Sequence, residues 1–308
     1  MSALLDVRLG CIKSSNSLTR SKEADDLIKA AQDTNVTILG TDMGLQLWRK
    51  FNTPLYKQLM SGQDIIYRTV FKYIDAKDKE LRESDEKRDR SETVLEHFLL
   101  KSELRMRDIV TVICDLVLAG VDTGSFMLSY ALYNLATNPE KQKIVADEVS
   151  GLLKQSGGEV THRVLAGARY LKAVMKETYR LRPVSIGVGR IIANDTVIRG
   201  YKIPKNTVVV TQNQVSCRLG EYFNNPDAFI PERWFTRDDI NPFLVLPFGH
   251  GPRACIGRRM AEQNLYTALI LLVAHYNIGW IGGSLGCYSN LINEPDAPLD
   301  FTFTPRNE

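Results

Sequence analysis

The sequence predicts a mainly α-helical fold with small β-sheets. Between residues 20 and 181, apolar residues recur at the spacing of amphipathic helices. Beyond Pro183 the pattern changes to short alternating segments separated by turn residues, which is typical of small antiparallel sheets. The segment 103–136 is apolar on more than one face, as expected of a helix buried in a large core. The 308 residues, 44% of them hydrophobic, are enough to form such a core.

The predicted helices follow one another from the N-terminus. An apolar segment over residues 1–18 ends in a polar turn, and mixed charge over residues 77–90 indicates a solvated helix end and loop. A loop is expected around Gly40, Gly44 and Pro54. Asn138 and Pro139 are expected to cap and start the fourth helix. Periodicity predicts helices over residues 20–39, 55–82, 103–136, 139–155 and 168–181.

The C-terminal part is predicted to contain the strands and one further helix. That helix follows Cys255, and a turn and a strand come after it. The uncharged stretch 268–292 is interrupted by glycines and polar residues, so it is not expected to span a membrane. Alternation predicts strands over residues 186–191, 196–198, 207–211 and 300–304.

Charge and cysteine content exclude several classes of protein. A net charge of +3 is too small to indicate a nucleic-acid partner. The five cysteines are widely spread and form no CxxC pair, which favours a reducing compartment over a disulfide scaffold or a zinc knuckle. No signal or transit peptide is recognised at the start of the sequence.

The loop over residues 247–259 surrounds Cys255 with glycines and arginines just before an apolar helix. The positive end of a helix dipole and nearby guanidinium groups stabilise a thiolate. Thiolates act as nucleophiles or metal ligands, so the loop predicts an activated sulfur. The alternatives are a structural buried cysteine and a thiol hydrolase, for which the sequence identifies no histidine partner.

The spacing of Phe248, Gly251, Arg253, Cys255 and Gly257 resembles the haem-binding motif of the cytochrome P450 family. The resemblance implies the P450 fold, here its C-terminal part, and haem b (iron protoporphyrin IX) as cofactor. Cys255 would be the axial iron ligand, whose thiolate favours O–O cleavage. Phe248 would shield the sulfur, and the amides of Ile256 and Gly257 would donate hydrogen bonds to it.

Within the long helix, Gly120, Asp122 and Thr123 resemble the P450 segment that crosses the face of the haem. The resemblance implies that Asp122 and Thr123 relay protons to bound dioxygen and that Gly120 lets a flat cofactor approach the backbone. A kinked core helix with a hydrogen-bonded aspartate is the alternative.

Glu177 and Arg180 resemble the family's ExxR motif, and Arg233 resembles the third member of that network. All three are expected to be structural. Arg190 and Arg253 match positions that bind haem propionates, with an exposed strand arginine as the alternative for Arg190.

Four basic residues resemble a site for an electron donor. In mitochondrial-type P450s, residues at such positions dock an acidic [2Fe–2S] ferredoxin, although a solvated helix face is the alternative. The residues are Lys172, Lys176, Arg258 and Arg259.

The resemblance extends over residues 1–308 as one P450 domain that lacks the N-terminal portion. It is most specific to arthropod mitochondrial P450s of moulting-hormone synthesis, of the ecdysteroid 22-hydroxylase type. It implies a monooxygenase that uses O2 and ferredoxin electrons on a hydrophobic, sterol- or ecdysteroid-like substrate. It also implies a mitochondrial location on the matrix side of the inner membrane, which is compatible with peripheral membrane association. A non-catalytic haem-binding or haem-free remnant is the alternative.

Overall fold

A computed structural model describes residues 2–5, 7–10, 21–83, 93–101, 103–236 and 240–306. The chain forms two compact units, Met1–Asp122 and Thr123–Glu308, and the boundary between them falls within one long helix. The mainly helical class with small sheets is confirmed.

The helices are bounded as follows: α1 Ser2–Leu5, α2 Lys22–Asp42, α3 Pro54–Glu83, α4 Val94–Lys101, α5 Met106–Ala136, α6 Pro139–Gln155, α7 His162–Gly167, α8 Arg169–Leu181, α9 Asn213–Ser216 and α10 Arg258–His275. Short 3-10 turns cover Leu47–Arg49, Pro231–Trp234 and Gly251–Arg253. The strands are β1 Val188–Ile191, β2 Thr196–Ile198, β3 Tyr201–Ile203, β4 Val208–Thr211, β5 Tyr276–Trp280, β6 Cys287–Ser289, β7 Asn293–Pro295 and β8 Phe301–Pro305.

The first unit is built on the packing of α2 against α3. The Ser21 hydroxyl accepts a hydrogen bond from Ala24 N at 3.1 Å and so begins α2. The predicted loop is confirmed around Gly44 and up to Pro54, where α3 begins. Its predicted start at Gly40 is wrong, because α2 continues to Asp42 and Gly40 lies where two helices pack closely. A Cβ at Gly40 would lie 2.7 Å from a methyl group of Leu55.

The charged segment that begins at Lys77 is only partly solvated. Lys77 and Glu96 form a 3.1 Å ion pair in which the two side chains are 13% and 3% exposed. Lys77 therefore anchors α3 to α4, a helix that the sequence did not predict. Residues 84–92, and the polar turn predicted near the N-terminus, lie outside the described residues.

The core of the second unit lies among the C-terminal half of α5 and helices α6, α8 and α10. Its fully buried side chains include Tyr130, Leu135, Val145, Val149, Leu171, Met175, Leu269 and Val273. Gln142 ties α6 to β5, since its Nε2 donates to Ile278 O at 2.8 Å and its Oε1 accepts from Ile278 N at 2.9 Å. Among the described residues, α5 is long and apolar enough to cross a membrane, a property that core helices share.

Asn138 occupies the N-cap position of α6 as predicted, but its side chain makes no capping hydrogen bond there. Its side-chain nitrogen donates to Asn134 O at 2.8 Å, so it closes the end of α5 instead. Pro139 still occupies the start of α6.

The described strands form two-stranded antiparallel sheets, β1–β4, β2–β3, β5–β8 and β6–β7. The predicted C-terminal strand is β8, which pairs with β5 so that Ile278 lies opposite Phe303. Strand β3 and the short helices α7 and α9 were not predicted. They are too short to produce a periodic signal of their own.

Candidate active site

The cysteine loop is closed by its own backbone hydrogen bonds. Cys255 N donates to Phe248 O at 2.8 Å, and Ala254 N donates to Gly251 O at 2.9 Å. Gly249 and Gly251 have φ values of 70° and 74°, in the left-handed region that favours glycine. The loop therefore ends with Cys255 exposed, shortly before α10 begins.

A cavity of about 380 Å³ opens beside this loop, and its walls are largely apolar. The C-terminal half of α5, the end of α8, strand β1, the cysteine loop and α10 all contribute to its walls. Five residues predicted from the sequence line it together: Thr123, Arg190, Phe248, Arg253 and Cys255. The fold thus brings the proposed iron ligand, both proposed propionate ligands and the proposed proton-relay threonine to one cavity.

Arg190 reaches from β1 to the cysteine loop. Its Nη2 donates to His250 O at 3.1 Å, and its Nη1 donates to Gly189 O at 2.7 Å. Arg253 is exposed in the 3-10 turn that precedes Cys255. An exposed thiol, two guanidinium groups and apolar walls fit a flat apolar cofactor with acidic substituents, which is the chemistry of haem.

Ile256 and Gly257, which follow Cys255, differ in their surroundings: Ile256 faces solvent, whereas Gly257 lies near the sulfur. Ile256 is 80% exposed. A Cβ at Gly257 would lie 3.9 Å from Cys255 Sγ, so this position is in ordinary contact with the sulfur.

Asp122 is a buried acid within α5. It is 5% exposed, and its Oδ2 accepts a hydrogen bond from Asn35 Nδ2 at 2.7 Å. Loss of hydration raises the pKa of the Asp122 carboxyl, and the hydrogen bond from Asn35 opposes this only in part. Asn35, on α2, was not predicted, and no local pattern could identify it. Gly120 is exposed with open space around it, whereas Gly124, one helical turn later, lines the cavity.

Glu177 and Arg180 are fully buried and form a bidentate ion pair, with N–O distances of 2.7 and 3.0 Å. Arg180 also donates to three backbone carbonyls between α9 and the 3-10 turn Pro231–Trp234. Arg233 Nε and Trp234 Nε1 each donate to the Glu177 carboxylate at 3.0 Å. Trp234 is a member of this network that the sequence motif did not reveal.

The basic residues proposed for partner binding already have intramolecular contacts. Lys172 Nζ donates to Ala166 O at 2.8 Å, and Lys176 Nζ lies 5.8 Å from the centre of the Trp234 ring. Arg258 pairs with Glu262 at 3.2 Å and lies over the Phe248 ring, whereas Arg259 is exposed.

Tyr179 and Ile292 line the cavity, although sequence reasoning did not single them out. Tyr179 lies between Glu177 and Arg180, and the ExxR motif specifies only those two charged residues. Ile292 lies in the turn between β6 and β7, which carries no motif.

Comparison with known proteins agrees with this geometry. The sequence model of the family described as cytochrome P450 matches residues 1–283. Cytochrome P450 302a1, mitochondrial, of Drosophila melanogaster is 40% identical over 287 residues, which cover 92% of this chain and 57% of that protein. The cholesterol side-chain cleavage enzyme, mitochondrial, of Capra hircus is 31% identical over 303 residues, covering 98% of this chain and 57% of that enzyme.

This chain therefore spans less than two thirds of the length of these relatives. The match nevertheless includes the cysteine loop, the ExxR helix and the long α5, the three elements that build the cavity and its support. The chain belongs to the cytochrome P450 family.

Proposed function

We propose that this chain carries the oxygen-activating site of a haem-thiolate monooxygenase. The observation that supports it most is the exposed Cys255 thiol on a cavity wall that also presents Arg190, Arg253 and Thr123. When bound, haem supplies the binding and reductive activation of dioxygen, and a thiolate ligand favours cleavage of the O–O bond.

The chain's own residues would hold and orient this cofactor. Cys255 would ligate the iron, and Arg190 and Arg253 would pair with the two propionates. The Phe248 ring would keep water from the sulfur, and the amides of Ile256 and Gly257 would donate hydrogen bonds to it. The hydrogen bond from Cys255 N to Phe248 O closes the loop at the residue that would ligate the iron.

Asp122 and Thr123 would form the proton relay of the site. Because burial raises the pKa of Asp122, its carboxyl keeps a proton to higher pH than an exposed aspartate does. Thr123, the next residue of α5, lines the cavity, and its hydroxyl would pass the proton inward. Gly120 would leave room beside this turn of the helix.

A hydrophobic, sterol- or ecdysteroid-like substrate is the proposed class. The largely apolar cavity walls support this, as does similarity to an enzyme whose name specifies cholesterol side-chain cleavage. The ecdysteroid 22-hydroxylase type is the finer proposal, and it derives from the sequence resemblance alone.

A mitochondrial [2Fe–2S] ferredoxin is the proposed electron donor. Several relatives carry the word mitochondrial in their names, which supports a mitochondrial location. The matrix side of the inner membrane is the finer proposal, and it derives from the sequence resemblance alone. Lys172, Lys176, Arg258 and Arg259 would attract the acidic surface of such a donor.

Peripheral membrane association is supported by an apolar surface segment between α2 and α3. Within residues 43–51, Met43, Leu45, Leu47 and Phe51 are all exposed, Leu45 to 87%. The cations Arg49 and Lys50 lie in the same segment. Exposed apolar side chains next to cations are typical of proteins that rest on an anionic lipid surface.

The proposal is tested by the absorption spectrum of the reduced, carbon monoxide-bound chain. The parent is expected to show the red-shifted Soret band of thiolate ligation, and Cys255→Ala is expected to lose it. Cys287→Ala is the matched control, because Cys287 is also an exposed cysteine. Absence of the band in the parent would support the haem-free remnant instead, and its persistence in Cys255→Ala would assign the ligand elsewhere.

A further inference from the structure

The Phe248 ring is in contact with Tyr179, to which the proposed function gives no role, and with Arg258, to which it gives only a role at the surface. The Tyr179 ring meets it edge-on, with ring centres 5.4 Å apart. The Arg258 guanidinium lies 5.5 Å from the ring centre. Edge-to-face aromatic pairs and cation–π contacts both restrict where a ring can lie.

The backbone of Phe248 in turn fixes Cys255. Phe248 O accepts the Cys255 amide hydrogen at 2.8 Å, and this bond closes the loop around two glycines. Glycine-rich backbone is intrinsically mobile, so the loop needs external support to keep one conformation. The supported ring belongs to the residue whose carbonyl makes that closing bond.

Tyr179 is 5% exposed, and its hydroxyl has no hydrogen-bond partner among the described residues. A buried hydroxyl without a partner destabilises a fold by about 1–3 kcal/mol relative to a paired one. The phenol group therefore contributes nothing by hydrogen bonding, and the ring itself is the part that packs on Phe248.

Arg258 is itself held in place by an ion pair within α10. Glu262, one turn later on α10, pairs with it at 3.2 Å. The ion pair orients the guanidinium plane, which a lysine ammonium could not reproduce.

We propose that Tyr179 and Arg258 are positioning residues that clamp Phe248 and thereby hold the Cys255 amide and sulfur in one conformation. Neither side chain is assigned this role by the motifs above. The importance of the clamp rests on the proposed function of Cys255, but the clamp itself exists in the chain without cofactor.

The experiment measures amide hydrogen exchange in the haem-free full chain. Tyr179→Leu removes the ring and is expected to speed exchange of the Cys255 amide by roughly twofold to tenfold, the factor equivalent to one aromatic pair. Arg258→Lys retains the charge but loses the planar contact with the Phe248 ring. It is expected to raise the exchange rate of the Cys255 amide by roughly twofold to fivefold. Tyr179→Phe keeps the ring and is expected to exchange like the parent.

The Ile278 amide is the internal reference, because it is buried and bonded to Gln142 in a different part of the same unit. A parental Cys255 exchange rate in both Tyr179→Leu and Arg258→Lys would overturn the clamp. An equal acceleration at Ile278 would also overturn it, because it would indicate general destabilisation.

A spectroscopic readout separates this inference from the proposed function. In the haem-loaded chain, Tyr179→Leu is expected to lower the fraction of the carbon monoxide complex that shows the thiolate-type band, whereas Tyr179→Phe is not. If the parent shows no such band, the proposed function is wrong. The hydrogen-exchange result then still tests whether Tyr179 and Arg258 hold Phe248 in place.

Discussion

Glu177 is the residue on which the segment before the cysteine loop depends most. Its carboxylate accepts hydrogen bonds from Arg180, Arg233, Trp234 and the amide of Ile230. It therefore joins α8 to the 3-10 turn Pro231–Trp234, and it does so without any exposure to water.

Glu177→Gln is expected to lower the free energy of unfolding by about 3–5 kcal/mol, because it leaves the buried Arg180 charge without a counter-charge. Urea titration measures the change. Glu221→Gln, which alters an exposed carboxylate, is expected to change stability by less than about 0.5 kcal/mol. Equal stability of the two variants would contradict a structural role for the network.

Asp122 gives stability a defined pH dependence. Its pKa is raised in the folded state by loss of hydration, so its ionised form opposes folding. The contribution is favourable at acidic pH and is lost as pH rises through the raised pKa. We expect Asp122→Asn to be more stable than the parent at neutral pH, with the difference vanishing at acidic pH.

Urea unfolding across a pH series measures that difference. Asp115→Asn, at an exposed position of the same helix, is expected to follow the parent at every pH. A parent that gains stability relative to Asp122→Asn as pH rises would contradict the assigned sign.

At the scale of elements, helix α8 carries both the buried ion pair and the two lysines that we propose for partner binding. Its buried face carries Glu177 and Arg180, while Lys172 and Lys176 lie on the part that solvent reaches. Helix α8 thus supplies both the buried ion pair that supports the segment before the cysteine loop and the two lysines on its solvent-accessible part.

Lys172→Glu combined with Lys176→Glu is expected to weaken ferredoxin binding several-fold and to reduce its dependence on ionic strength. Titration with ferredoxin at two salt concentrations measures both effects. Lys154→Glu with Lys205→Glu changes the net charge equally at other exposed positions and serves as control. Equal losses in the two double variants would mean that net charge, and not this face, governs binding.

The apolar segment between α2 and α3, residues 43–51, is predicted to bind a lipid surface. Leu45→Ser with Phe51→Ser is expected to reduce binding to phosphatidylcholine vesicles that contain an anionic lipid, since less apolar area can enter the lipid. Vesicle flotation measures the bound fraction. Val197→Ser with Ile198→Ser, also exposed, is expected to bind like the parent, and a parent that stays unbound would refute the proposal.

At the scale of the whole molecule, all the residues that line the cavity belong to the unit Thr123–Glu308. A ligand that binds only the folded chain stabilises it, by about 2.7 kcal/mol at a hundred times its dissociation constant. Added haem is therefore expected to slow amide exchange around the cavity of that unit. The same protection in Cys255→Ala, or protection confined to residues 1–122, would contradict the site.

The sequence by itself determined the helical class, the main helices and the cysteine loop. These features are encoded locally, because helical periodicity and a fixed motif spacing depend only on neighbouring residues. Gly40 and Asn138 show the limit of such reasoning. Each residue type is common in turns and caps. Gly40 instead packs against Leu55 of another helix, and the Asn138 side chain bonds back to Asn134, one turn earlier in the chain.

Only the tertiary structure decided which distant side chains meet. Asn35 reaches Asp122, Arg190 reaches the carbonyl of His250, Trp234 joins Glu177, and Tyr179 packs on Phe248. No spacing along the chain encodes these contacts, since each joins two elements separated by one or more others. Their partners were selected by burial of apolar surface and by the need of buried polar groups for hydrogen bonds, which act between elements once the chain has folded.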